Sequence, residues 1–495
     1  MSSIEEILER HGPSRSSVIA QMLQEKFGLA PDAARKRLSR IVLPVRRFPI
    51  PLLPKREAFL YLQDQRNTEQ FWTNLLRDLR GTNSAYGAAL DGLIARGGIV
   101  SADEFPVISG SPIALKGQIS TSRLAETLIS AGAICHTHFA DLGECYAIAH
   151  TGIATPDMAN FRPRMLAEGV ILDGVREWAR KLGLASYDSI AIRGESKPCQ
   201  VGQFKFDLTG PSYLLPLRRG SSRNGFLVAD VFAYGQMGRH SIQYFIRKIQ
   251  MLRASSNSGD ALPILVAERF TAGALRAGRV AGIVLATPTN LFGYKVGAAI
   301  QSLVGVLRNA AAIATANPGR LVDLIHDLAE IEGAAGNLRG VLFELITAYL
   351  ARLDAVSVDI GITARDPDTG KMADIDVLQV RSRAECVGIE CKARHPGGVV
   401  GEDEVQDWIR RIPIFRAHLV REQRFREAAI SFEIWTTGVF SSGALALLED
   451  EKKKRTKTPI NWKDGMQVAE VAKRAKEKAI REALYEHFLR HPLAV

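Results

Sequence analysis

The chain has 495 residues, a formal net charge of +11 and a pI of about 9.4. This length exceeds what one hydrophobic core normally serves, so several domains are predicted, and the basic excess favours a polyanionic partner, chiefly nucleic acid. The sequence holds no uncharged apolar run of about 18 residues, which argues against a membrane span, and its charged N-terminus and five cysteines favour a cytoplasmic location.

Residues 1–66 have the pattern of a winged helix. Three short helices are predicted, with Gly28 closing the second and Pro31 starting the third, and VRRFPIPLLPKREAFLYLQ is predicted to form two strands of a wing. The third helix is where such a domain presents side chains to a DNA groove. The candidate nucleic-acid-binding residues there are Arg35, Lys36, Arg37 and Arg40. A basic surface without DNA contact is the alternative.

Residues 67–155 are predicted to form a second, less regular winged-helix-like domain. TEQFWTNLLRDL, SAYGAALDGLIARGG and TSRLAETLISAGA read as helices, and ICHTHFADLGECYAIAH reads as a hairpin. This hairpin region carries Cys135, His136, His138, Cys145 and His150. Their spacing matches no common zinc finger, and a hairpin distributes them over both faces, so structural roles are expected rather than zinc binding.

An internal repeat links the two halves of the remaining chain. SIQYFIRKIQMLRA (residues 241–254) is identical to EVQDWIRRIPIFRA (residues 404–417) at six positions. Downstream, FTAGAL (residues 270–275) matches FSSGAL (residues 440–445) at a similar spacing. The common order predicts a duplication; chance similarity between amphipathic helices is the alternative.

The segment ADIDVLQVRSRAECVGIECKAR is predicted to form two strands joined by a polar turn. Alternation places Asp374 and Asp376 on one face of the first strand, and Glu390 and Lys392 on one face of the second. In a symmetric hairpin, Asp376 lies opposite Glu390, with Cβ atoms about 4.5–5.5 Å apart. Carboxylates this close repel unless a cation lies between them or one is protonated. A divalent-metal site is therefore predicted; the alternative is a solvated polar face in which Asp374 pairs with Lys392.

The first copy of the repeat contains an equivalent hairpin, in FKFDLTGPSYLLPL and NGFLVADVFAYG. Asp207 takes the place of Asp376, Asp230 takes that of Glu390, and Phe232 replaces the lysine. The first copy keeps two carboxylates and loses the ammonium. It is therefore expected to be inactive.

A helix carrying Glu344, then Asp376, then Glu390-Cys391-Lys392 on the next strand resembles the PD-(D/E)XK nuclease superfamily, in particular its Mrr and Holliday-junction-resolvase branch. Ile375 stands where the motif often has proline. The resemblance implies a multidomain α+β and α/β protein with two tandem restriction-endonuclease-like domains after the winged-helix units. The degenerate domain is expected at residues 156–320, the catalytic one at 321–450, and a basic loop and C-terminal helix at 451–495.

The resemblance also implies a site and a reaction. Mg²⁺ or Mn²⁺ is expected on Asp376 and Glu390, with Glu344 and Asp374 as further carboxylates. Lys392 is expected to orient the attacking water or stabilise the transition state, and Gln406 to be an accessory residue; a structural role on the helix surface is the alternative for Gln406.

Hydrolysis of phosphodiester bonds in duplex DNA is the activity implied, in defence against foreign DNA or in repair. Homodimers are common in this superfamily, so a homodimer and a partner protein that supplies a trigger are both open. One chain is expected to nick a single strand. Two alternatives are a non-catalytic winged-helix DNA-binding regulator with relic nuclease folds and an RNA-directed nuclease.

Overall fold

The computed structural model describes residues 3–139, 143–195, 197–217, 224–255, 260–308, 328, 336–474 and 478–489. The fold is mixed α/β with several separate sheets, in agreement with the predicted multidomain α+β character. The boundary predicted between residues 320 and 321 lies outside the described residues. None of the helices in the described ranges combines the length and apolar character needed to cross a bilayer.

The first 66 residues form three helices and a small antiparallel sheet. The elements are α1 (Ser3–His11), β1 (Ser14–Arg15), α2 (Ser16–Phe27), α3 (Pro31–Ser39), β2 (Val45–Arg47) and β3 (Phe59–Leu62). Gly28 ends α2 with a left-handed φ of 65°, and Pro31 is the first residue of α3, both as predicted. The strand order is β1-β3-β2, so the first strand pairs with the last.

The next 80 or so residues repeat this arrangement behind an additional helix. The elements are α4 (Glu69–Gly81), α5 (Ala85–Ala95), β4 (Ile99–Ser101), α6 (Phe105–Ile108), α7 (Thr121–Ser130), β5 (Ile134–Phe139) and β6 (Gly143–Ile148). The side chains of Thr68, Ser84 and Ser120 cap α4, α5 and α7, which explains where these helices begin. The sheet order, β4-β6-β5, again pairs the first strand with the last.

Two five-stranded sheets follow. The part of the chain that forms the first sheet and its helices comprises α8 (Phe161–Lys181), β7 (Ala191–Ile192), β8 (Gln200–Val201), β9 (Phe204–Lys205), β10 (Leu208–Ser212), β11 (Gly225–Met237), α9 (Gln243–Ala254), β12 (Ala261–Phe270), α10 (Ala272–Val280), β13 (Val284–Ala286), α11 (Pro288–Phe292) and α12 (Tyr294–Arg308). The short strands β8 and β9 pair with each other outside the main sheet.

The second sheet and its helices occupy the rest of the chain. They are α13 (Gly336–Arg352), β14 (Ser357–Arg365), β15 (Met372–Ser382), β16 (Glu385–Lys392), β17 (Val399–Val400), α14 (Glu402–Arg421), β18 (Ala429–Thr436), β19 (Val439–Phe440), α15 (Ser442–Lys454), β20 (Ile460–Lys463), α16 (Gly465–Arg474) and α17 (Lys478–Leu484).

The two sheets have the same topology. Their orders are β7-β10-β11-β12-β13 and β14-β15-β16-β18-β20. In each sheet the first two pairings are antiparallel and the last two are parallel. The matched helices α9 and α14 both connect the third strand to the fourth. This agreement supports the duplication inferred from the sequence.

The two copies share one hydrophobic core, although separate domains were predicted. The equivalent helices α8 and α13 pack against each other. One cluster of buried residues includes Val170 from α8, Leu227 from β11, Ile346 from α13 and Val387 from β16. The two sheets are therefore joined through the helices that precede them.

The predicted end of the second copy at residue 450 is too early. Residues 451–454, assigned to a basic loop, continue α15 to Lys454. The fifth strand, β20, pairs in parallel with β18, and Val468 and Leu484 from the C-terminal helices lie in the shared core. The C-terminal helices therefore bury an apolar face in this core.

Gly388 in β16 marks a close approach inside the second copy. A Cβ atom at this position would lie 2.8 Å from Cδ1 of Phe432, a ring that is 1% exposed. Gly388→Ala is expected to lower the free energy of unfolding by about 1–3 kcal/mol, because the ring has to move within a packed core. Urea denaturation would measure the loss. Gly305→Ala is the matched control, since its Cβ would meet nothing within 4 Å and equal losses would contradict the packing explanation.

Candidate active site

A cleft of about 890 Å³ lies at the end of the second sheet. Its walls include Asp376, Glu390 and Lys392 from the hairpin and Arg411 from α14. Arg162, from the first turn of α8, also lines it. The cleft therefore brings the predicted hairpin residues together with basic side chains from both copies of the repeat.

The hairpin has the predicted register near the carboxylates. Val377 pairs with Ile389 and Leu378 with Gly388, and extending this pairing by one residue places Asp376 opposite Glu390. The register shifts beyond Val380, close to the turn, so the hairpin contains an irregularity that a symmetric arrangement lacks. That shift lies on the turn side of the carboxylates and leaves their pairing intact.

Strict alternation is interrupted at Asp376. Alternation would place Ile375 and Val377 on one face, but they pack into different hydrophobic clusters. Gly361, which the register of β14 places opposite Asp376, has a φ of 63°, a conformation that glycine adopts readily. Despite the interruption, Asp374 and Asp376 reach the same arginine.

That arginine, Arg162, lies among three of the four predicted carboxylates. Its Nη1 is 3.3 Å from Oδ2 of Asp374, and its Nη2 is 3.6 Å from Oε1 of Glu344. The same Nη2 also donates a short hydrogen bond to Oδ1 of Asp376. The other oxygen of Asp376 accepts a 2.7 Å hydrogen bond from the backbone N–H of Cys391. A guanidinium thus stands at the position where the sequence predicted a metal ion.

Glu390, the fourth carboxylate, is held by two other cations. Its Oε1 lies 2.7 Å from Nζ of Lys392 and 2.8 Å from Nη2 of Arg411. Burial alone would raise the pKa of Glu390, but these two cations outweigh burial and hold the pKa at about 2. Lys392 pairs with Glu390 on its own strand, whereas the alternative reading paired it with Asp374.

Glu344 carries the opposite shift. Burial raises the pKa of Glu344 to about 8, the negative charge of Asp376 adds to the rise, and Arg162 offsets only part of it. Burial also raises the pKa of Asp376 above its usual value. Around Arg162, the positive charge is therefore too small to keep all the neighbouring carboxylates ionised at neutral pH.

The raised pKa of Glu344 predicts a pH dependence of stability. The folded protein keeps a proton on Glu344 that the unfolded chain, with a pKa near 4.5, releases earlier. This contribution to stability is complete below about pH 4.5 and is lost as the pH rises through about 8. Between these values Glu344→Gln should remove a slope approaching about 1.4 kcal/mol per pH unit. Urea midpoints measured across this range would test it; parallel curves for the two proteins would contradict it.

The first sheet contains an equivalent cluster. Oδ2 of Asp207 accepts a 2.9 Å hydrogen bond from the N–H of Val231, as Asp376 does from Cys391. Lys248 lies 2.6 Å from Asp230, in the position that Arg411 takes beside Glu390. Equivalent backbone and side-chain contacts thus hold both pairs of strand carboxylates.

The two clusters differ in charge balance. In the first, Glu104, Glu168, Asp207 and Asp230 pair with Arg96, Arg164, Arg193 and Lys248. In the second, Glu344, Asp374, Asp376 and Glu390 pair with Arg162, Lys392 and Arg411 in the described structure. Four cationic side chains therefore neutralise the four carboxylates of the first cluster. In the described structure, the second cluster has three cationic side chains for its four carboxylates.

The second cluster has the donor chemistry for a divalent ion. In the described part of the chain, Oε2 of Glu344, Oδ1 of Asp374 and Oε2 of Glu390 are buried without a hydrogen-bond partner, which is costly for a polar oxygen. Mg²⁺ prefers carboxylate oxygens of this kind. Within the described ranges, however, no group of three or more His, Cys, Asp or Glu side chains is arranged as a metal site. The residues fit the ion chemically, and Arg162 lies in the space between them.

Comparison with known proteins gives no family for this chain. No protein-family model, curated protein or solved structure matches it.

Of the other predicted residues, His138 lines the cleft in the described structure, and the rest lie outside its lining. Gln406 is exposed on α14 and is absent from the residues that line the cleft. His136 and His138 both contact Glu144, and the ring of His150 stacks on Trp72 at 4.2 Å. Of the two cysteines of the hairpin, Cys145 is buried and Cys135 is exposed. The basic residues of the first domain, Arg35, Lys36, Arg37 and Arg40, are all exposed.

Sequence reasoning missed Arg162, Arg411 and Glu168. Arg411 could have been found, because the repeat aligns it with Lys248 and both are basic. Glu168 also had a signal, since it lies in the helix that precedes the first sheet, as Glu344 does before the second. Arg162 had none, because its contact with Asp376 spans 214 residues of sequence.

Proposed function

We propose that the chain is a metal-dependent endodeoxyribonuclease whose active site is the second carboxylate cluster. One observation carries the proposal: four carboxylates, a lysine and two arginines form one cluster beside the cleft, which Asp376 and Glu390 line. The described residues supply one cation too few for all four carboxylates to be ionised. The equivalent cluster of the first copy, closed by four cations, illustrates what a structural version of the same arrangement requires.

The chemistry follows from the needs of phosphodiester hydrolysis. Asp376 and Glu390, with Glu344 and Asp374 beside them, would hold Mg²⁺ or Mn²⁺, which when bound lowers the pKa of a coordinated water. Lys392, whose side chain is 24% exposed, would donate to the attacking water or to a phosphate oxygen. Arg411 fixes the orientation of Glu390, and the N–H of Cys391 fixes that of Asp376.

In this proposal the two sheets are restriction-endonuclease-like domains, and the two N-terminal units are winged helices. The small sheets of the two N-terminal units have the same strand order, with the first strand paired to the last, and this supports the winged-helix assignment. The exposed Arg35, Lys36, Arg37 and Arg40 would then face duplex DNA. The +11 charge of the chain favours the same class of partner.

Incubation of the purified chain with supercoiled plasmid and Mg²⁺ or Mn²⁺ tests the proposal. Cleavage that EDTA abolishes is the expected result, with nicked circles preceding linear DNA if one chain cuts one strand. A parallel assay on RNA of similar length separates the two substrates. Faster hydrolysis of RNA would overturn the assignment to DNA.

A non-catalytic DNA-binding regulator is the second candidate. Arg162 pairs with three carboxylates of the second cluster, much as Arg96 does with three of the first. In a relic fold such arginines would be permanent structural partners. Binding of duplex DNA without cleavage in either metal would favour this candidate.

A further inference from the structure

The segment that leads into α9 of the first copy is basic, whereas the first turn of its counterpart α14 is acidic. The second copy enters α14 through EDEVQD, and the first copy has RHSIQY at the equivalent residues 239–244. Position by position, Glu402, Asp403, Glu404 and Asp407 are replaced by Arg239, His240, Ser241 and Tyr244. Four acidic residues have thus been lost from the equivalent segment.

The next helix changes in the same direction. The match between FTAGAL and FSSGAL aligns Arg276 of α10 with Ala446 of α15, and Arg279 with Glu449. Arg276 and Arg279 are both exposed. The reversal of charge therefore extends over two consecutive helices of the copy that lacks the nuclease motif.

Arg239 and His240 line a cleft of about 740 Å³ between α9 and the α4–α5 connection. Its walls include Arg77, Arg80, Arg239 and Arg247, and Asp91 is the one carboxylate among the lining residues that the structure describes. Arg80 binds that carboxylate, with Nε 2.9 Å from Oδ1. An adjoining cleft of about 520 Å³ shares Arg239 and adds Arg276, so the basic surface is continuous.

Arg247 has lost the partner that its counterpart keeps. In the second copy, Arg410 lies 2.9 Å from Asp407. In the first copy Tyr244 occupies the aspartate position, and its hydroxyl donates to Asp230 at 3.1 Å instead. The buried Nε of Arg247 has no hydrogen-bond partner in the described structure, and burial lowers the pKa of this guanidinium. An anion would supply both the hydrogen bond and the opposite charge.

We propose that this surface, formed by Arg77, Arg239, Arg247 and Arg276, binds the phosphate backbone of duplex DNA. The copy without nuclease chemistry would then grip the duplex that the second copy cuts. Arginines spread over two adjoining clefts can contact several phosphates of one backbone, whereas a single small anion would occupy one cleft. Among the described residues, neither lining contains Phe, Tyr or Trp, the side chains on which single-stranded bases stack, so a duplex is favoured over a single strand.

Cleavage of the bound duplex by the second copy rests on the proposed function, whereas binding of the duplex to the first copy is tested independently of cleavage. Affinity for a short blunt duplex of arbitrary sequence is measured in EDTA, which prevents cleavage, at several salt concentrations. The double variant Arg239→Glu/Arg247→Glu is expected to bind at least about tenfold more weakly, with a salt slope smaller by about 2, because two phosphate contacts are lost. Arg239→Gln/Arg276→Gln changes exposed residues only and should weaken binding in the same direction without risk to folding.

Arg383→Glu/Arg426→Glu is the matched control, since both arginines are exposed near the turn end of the second sheet. Unchanged affinity in both cleft variants, or an equal loss in the control, would overturn the proposal. Tighter binding to single-stranded DNA or to duplex RNA would overturn the assigned partner. Absence of plasmid cleavage with normal binding would count against the nuclease alone, so the two failures can be told apart.

Discussion

Lys392→Ala is expected to lower the rate of plasmid cleavage by about 10²–10³-fold, the usual effect of removing one donor that stabilises charge in a transition state. The fold should survive, because Arg411 still neutralises Glu390 when the ammonium is absent. Affinity for duplex DNA in EDTA should change little, because the basic surfaces of the N-terminal domain and of α9 are unaltered. A gel assay of nicking rates, run beside a binding titration, measures both quantities.

Lys371→Ala is the control for this substitution. Lys371 is an exposed lysine that lines the same cleft, and it is not among the cations paired with the four carboxylates. Its removal takes away the same formal charge without disturbing Glu390. A rate for Lys392→Ala equal to that of Lys371→Ala would refute the role assigned to Lys392.

Arg162→Gln should make the protein depend on divalent ions for its stability. Without the guanidinium, two cations remain for four buried carboxylates, and the expected loss is about 3–5 kcal/mol in EDTA. Mg²⁺ or Mn²⁺ should restore much of this loss, since an ion that binds only the folded state stabilises it. The metal-induced rise in Tm is therefore expected to be larger for the variant than for the parent.

Arg410→Gln separates this effect from a general loss of positive charge. Arg410 lines the same cleft, but its side chain and that of its partner Asp407 are each 66% exposed. An exposed pair of this kind contributes at most about 1 kcal/mol. Equal metal-induced shifts in Arg162→Gln and the parent would mean that the guanidinium and the ion do not compete for one site.

Local sequence signals predicted much of the fold around the site. The Gly28 and Pro31 boundaries, the hairpin register at Val377 and the helix with Glu344 all depend on residues close together in the chain. The internal repeat also predicted structure over a longer range, because two pairs of matching segments indicated two sheets of the same topology.

The cations of the two clusters could not be predicted in this way. Arg96 meets Asp207 across 111 residues, and Arg162 meets Asp376 across 214. Each is one of 64 lysines and arginines, with no local pattern to distinguish it. Their positions follow from the packing of α8 on α13 and of the N-terminal units on the first sheet, which is set by the shared core and not by spacing.

Helix α8 carries Arg162 to the second cluster and, less than two turns later, Glu168 to the first. One helix therefore supplies a charge to both copies of the repeat. A gene rearrangement that separated the copies would leave the downstream half with four buried carboxylates and two of their three cations. A duplication usually yields two units that can be lost, shuffled or replaced one at a time. Here both copies depend on charged residues of the same helix, so a change to either copy is constrained by the other.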